Sequence, residues 1–117
     1  MTTDRRAALV ALKDAVEAGE WVAAGDDSDT WLLIFDAGLR AHHGRIYSVW
    51  CLGSTDAALA LLGAVLPGWG WRMQDCGTPY GLVVHGEKVF ESHAPTPSRA
   101  LLLATFKAML GQEARDG

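Results

Sequence analysis

The chain has 117 residues, half of them hydrophobic and 21% charged, the composition of a folded globule rather than a disordered segment. A single domain over 1–117 is expected, long enough to build a core without disulfides or a metal. Ten basic and fourteen acidic residues give a formal charge of −4, and only Arg5 and Arg6 are adjacent cations, which excludes the clustered basic footprint of a nucleic-acid binder.

Thr3 is placed to cap a first helix over 4–18, with Asp4 near its positive end. Leu9, Leu12 and Val16 form its apolar stripe, and Gly19 is a stop signal. The start of the chain leads into this amphipathic segment rather than into an apolar signal core. No run approaches the ~20 apolar residues of a membrane span, so a cytoplasmic protein without a membrane partner is expected. In that compartment Cys51 and Cys76, which are not in a CxxC spacing, are expected to stay reduced.

Asp26, Asp27 and Asp29 precede Trp31-Leu32-Leu33-Ile34-Phe35 and suit the first turn of a second helix ending near Ala37, with a short buried strand as the competing reading. The acids do not form a calcium loop. Counting from Asp26 places Trp31 and Ala37 where an EF-hand needs Gly and Glu. Arg45 to Cys51 is rich in β-branched and aromatic residues and reads as a strand, although Ile46, Val49 and Trp50 also fit a helical turn.

Ser54 or Thr55 caps a central helix whose residues Ala57 to Leu66 are apolar all round, the pattern of a helix buried on most of its surface. Pro67 and Gly68 end it. Trp69, Trp71 and Met73 alternate with Gly70, Arg72 and Gln74, which predicts a strand with its tryptophans in the core. Tyr80 to His85 and Lys88 to His93 flank Gly86-Glu87, a two-residue hairpin that sets Val84 against Val89 and Val83 against Phe90. Apolar pairs on both faces suggest a sheet covered on both sides. Thr96 caps the last helix, with Pro97 at its first position and Leu102, Phe106, Met109 and Leu110 on its core stripe, widened by Leu101, Leu103 and Ala104. Residues 112–117 are expected to fray. The fold class is therefore α+β, an antiparallel sheet of about three to four strands packed with helices.

Three stretches carry a resemblance. Gly53-Ser54-x-Asp56-Ala57-Ala58-Leu59, Leu66-Pro67-Gly68-Trp69-x-Trp71 and Thr96-Pro97-x-Arg99-Ala100-Leu101 resemble small uncharacterised proteins encoded by phages and prophage-like regions of proteobacteria, of the phage α-β-α sandwich type. The resemblance covers about 53–110. It implies a sandwich-like fold and a place in the cytoplasm of a bacterial host. It transfers no catalytic residue, because the group has no established active site.

The residues alone point to no reaction or cofactor. His42 and His43 are adjacent, so they point in different directions, and the structural zinc spacings are absent. Cys51 and Cys76 lack a nucleophile context, although Cys76, in a Gly-containing turn, is the better candidate for an enzymatic reading. Asp75, Glu87 and Glu91 read as charges at a sheet edge rather than as an acid–base pair. Gly68-x-Gly70 is followed by a strand, not by the helix N-terminus a phosphate loop requires. The expected function is non-enzymatic: a phage or prophage accessory protein that binds a host or phage protein, an anti-CRISPR-like inhibitor of host defence being one form. A self-associating virion or assembly factor is the alternative, followed by a small enzyme using Cys76 or a histidine. The candidate partner surface lies in the half outside the resemblance: Trp21, Trp31, Arg40, His42, His43, Tyr47 and Trp50.

Overall fold

The computed structural model describes residues 2–18, 38–75 and 77–116. Helix α1 spans Thr2–Ala18. A 3-10 turn at Arg40–His42 leads into α2 (His43–Leu52), which is followed by α3 (Thr55–Val65). Strands β1 (Gly70–Gln74), β2 (Tyr80–His85) and β3 (Lys88–His93) precede α4 (Pro97–Asp116). The strands form one antiparallel sheet in the order β1-β2-β3. The expected α+β class is the observed one. No described helix is long and apolar enough to cross a membrane.

The last helix is the centre of the molecule. Residues Ala100 to Phe106 are buried without a break, and Ala108 and Met109 are buried beyond the half-buried Lys107, which no single amphipathic stripe could produce. Helix α4 packs on all three strands on one side and on α1, α2 and α3 on another. Its start follows the capping logic of the sequence: the Arg99 amide donates to Thr96 Oγ1 at 3.2 Å, and Pro97 opens the helix. Inside it, the buried Thr105 hydroxyl is satisfied by donating to the Leu101 carbonyl at 2.8 Å. The helix continues to Asp116 where fraying is expected.

The side of α4 toward the sheet is made of small residues. A Cβ placed on Gly81 of β2 would fall 2.6 Å from the Ala100 carbonyl carbon and from the Leu101 Cα. One turn from the far end, Gly111 makes room for the Phe90 ring, 2.7 Å from where its Cβ would stand. Ala104 and Ala108 lie between these contacts at helical spacing. Backbone therefore rests almost on backbone.

Four expectations change. First, Arg45 to Cys51 is helical, within α2, and not a strand. Ile46 and Val49 are both fully buried, three residues apart, and Gly53 at φ 66° ends the helix, its amide donating to the Val49 carbonyl at 3.1 Å. Ser54 then caps α3 by accepting from the Ala57 amide at 3.1 Å. Two consecutive residues thus close one helix and open the next, and the β-branched composition is overridden.

Second, α3 is apolar all round but buried on one stripe, Ala58, Leu61 and Leu62. Its outer positions, Ala60, Gly63 and Ala64, are small enough to face water at little cost. Third, Trp71 is 49% exposed and Trp69 half-buried, so the tryptophans are not the core of the sheet. Both stand on the helix side, but β1 is an edge strand and α4 covers it least. Trp69 instead stacks on His85, ring centroids 5.1 Å apart, and lies 6.1 Å from Phe90. Fourth, the described helices pack on one face of the sheet and leave the other open. The hairpin register is as expected, Val84 against Val89 and Val83 against Phe90. The reading of a helix or strand at 26–37 lies outside the described residues.

Gly81→Ala is expected to destabilise the protein by about 3 kcal/mol or more, because the added methyl meets helix backbone that cannot swing away. Urea unfolding at equilibrium measures it, and a loss below about 0.5 kcal/mol would show that helix and strand are not in contact there.

Candidate binding surface on the open sheet face

Only part of the surface expected from the sequence falls within the described residues. Trp21 and Trp31 lie outside the described residues, as does the Trp50 side chain, although Trp50 itself is on α2. Arg40, His42 and His43 fall within one turn, and Tyr47 is half-buried against the core. His43 Nδ1 donates to the Arg40 carbonyl at 2.8 Å, and Arg45 Nη1 donates to His42 Nδ1 at 2.9 Å. Each imidazole thus has one nitrogen engaged locally, in different directions. Among the described residues no group of three or more His, Cys, Asp or Glu could hold a metal ion. The turn is a polar corner that braces the start of α2. The side chain of Cys51 and the whole of Cys76 lie outside the described residues.

The sheet offers a better-defined surface. Strand alternation and the pairing register place nine residues on the face away from α4. They form three cross-strand rows: Gly70, Val84 and Val89; Arg72, Leu82 and Glu91; Gln74, Tyr80 and His93. Gly81, Val83, Phe90 and Ser92 point the other way, toward the helix. Leu82 and Val84 are only half-buried, and Val89 is 51% exposed. Three aliphatic side chains therefore meet water side by side, where the sequence pattern could have placed polar residues at no cost to the core.

Polar groups rim this apolar centre. The Tyr80 hydroxyl donates to Glu91 Oε2 at 2.6 Å, and the Tyr80 and His93 rings are 5.3 Å apart. The hydrogen bond to Glu91 holds the Tyr80 phenol above its ordinary pKa; desolvation and the Glu91 charge act in the same direction, and Arg72 opposes them. On the edge of β3, Lys107 donates to the Glu91 carbonyl at 3.1 Å, occupying a backbone acceptor that would otherwise invite another strand. An apolar centre with a hydrogen-bonded polar rim is the anatomy of a protein interface. A raised phenol is the wrong direction for a Tyr base. A shallow hollow along α1, lined by Arg6, Ala7, Val10, Ala11 and Asp14, brings together no convergent polar groups.

The sequence reading missed this surface because both faces of the hairpin are apolar. The available signal was Arg72 and Gln74 on β1, whose register places them beside Leu82 and Tyr80 and so marks that face as wet. No protein-family model, no curated protein and no solved structure matches the chain.

Glu91→Gln is expected to lower the pKa of Tyr80, measured by the pH dependence of its ring resonances. The neutral phenol is the form favoured in the folded state. Its contribution is complete below the ordinary Tyr value of about 10 and is lost as the pH rises through the raised folded value. An unchanged Tyr80 titration in the variant would show that the hydrogen bond does not persist in solution.

Proposed function

We propose that the protein acts by binding another protein, without catalysis, through the open sheet face centred on Leu82, Val84 and Val89. The observation that carries this reading is the exposure of Val89 beside the half-buried Leu82 and Val84 on a sheet whose opposite face is packed against α4. A domain that covers one sheet face and leaves an apolar patch with a polar rim on the other has a surface ready for a partner. The resemblance over 53–110 supports a phage or prophage accessory role in the cytoplasm of a bacterial host. Inhibition of a host-defence complex is one concrete form of that role, since it requires a binding surface and no chemistry.

The test compares wild type with Leu82→Arg and Val89→Glu as baits in bacterial host extract. Wild type is expected to retain a partner that both variants lose, with melting temperatures shifted by only a few degrees. Arg45→Ala, at the polar corner of α2, is expected to retain it. Equal retention by all three variants would place binding elsewhere.

A further inference from the structure

We propose that the open sheet face pairs with the same face of a second copy of this chain, related by a two-fold axis that runs along the strands. The inference rests on the reading of this face as the binding surface.

Charge placement singles out the occupant and the axis. Arg72 lies on one edge strand and Glu91 on the other, with Leu82 between them in the same row. Arg72 forms no salt bridge among the described residues. Two sheets stacked face to face keep their strands roughly aligned. A two-fold axis parallel to the strands and passing over β2 exchanges the edge strands. Arg72 then lies over Glu91 of the second copy, and Glu91 over Arg72 of the second copy. A two-fold axis across the strands would put Arg72 over Arg72 and Glu91 over Glu91, which repel.

The same operation fits the other rows. Gly70, with no side chain, comes to lie over the protruding Val89 of the second copy. Gln74 lies over His93. Val84, Leu82 and Tyr80 stand on the axis and meet their own counterparts. Self-complementarity of this kind is what an isologous interface requires. With strands ~4.8 Å apart and a rise of ~3.3 Å per residue, the face measures only about 14 by 17 Å. That footprint is far below the ~800 Å² per partner of a stable dimer, so the pairing is reversible and depends on concentration.

Sedimentation of the full chain over a wide concentration range tests this. Wild type is expected to dimerise reversibly, and more weakly as salt rises. Arg72→Glu and Glu91→Arg each create two like-charge contacts and are expected to weaken self-association about tenfold or more. An equimolar mixture of the two variants restores both opposite-charge contacts, so mixed dimers are expected where neither variant alone dimerises. Both positions are exposed, and far-ultraviolet circular dichroism checks that each variant is folded. A wild type that stays monomeric throughout, or a mixture that does no better than either variant, overturns the self-pairing. If the proposed loss of a partner by Leu82→Arg and Val89→Glu still occurs, the face remains a binding surface for a different protein. If it does not, both readings fall together.

Discussion

The contact between Gly81 and the backbone of Ala100 and Leu101 is the constraint on which the rest of the structure depends. It exists because the glycine lacks a Cβ and because Ala104, Ala108 and Gly111 follow Leu101 along that side of α4. With the sheet held this close, the large side chains of α4 must find their partners on the opposite side. Leu102, Leu103 and Phe106 are buried in the same core as Leu9, Leu12, Ile46, Val49, Leu61 and Leu62 of the helices. One helix thus serves two interfaces of different texture, a tight one to strands and a bulky one to helices. Close packing makes both sensitive to single methyl groups.

That arrangement also determines what is left over. A single helix can cover about two strands, and α4 lies mainly over β2 and β3. Trp71, on the helix side of β1, is therefore half in water despite its size. The far face of the sheet receives no described helix and keeps Leu82, Val84 and Val89 at the surface. The candidate binding surface follows from the packing: it is the face that a one-helix cover cannot reach. The Tyr80–Glu91 bond then fixes the rim, and Lys107 occupies one backbone acceptor at the β3 edge.

Local chemistry was legible where it acts over a few residues. Ser54 and Thr96 as caps, the stop at Pro67-Gly68 and the Gly86-Glu87 hairpin are all contained in short stretches, and each is found. What composition could not convey was which of two apolar helices lies inside. Both α3 and α4 lack a polar stripe. Only α4 has neighbours on both sides, a property of the assembled layers and not of its sequence. Arg45 to Cys51 was ambiguous for a related reason: β-branched residues suit a strand, but the Gly53-Ser54 joint and the spacing of Ile46 and Val49 decide for a helix. The candidate surface was least legible of all. Apolar residues on both faces of the hairpin have the same pattern whether the second face is covered or bare.

Native-state hydrogen exchange measures the central position of α4 most directly. Amides of Leu101 to Ala108 sit in the element that every layer packs against, so they are expected to exchange only through global unfolding and to be the slowest in the protein. Amides of Ala58 to Leu62 in α3, open to water on one side, are expected to exchange faster. The reverse order, with α3 more protected than α4, would contradict the two-sided packing of the last helix.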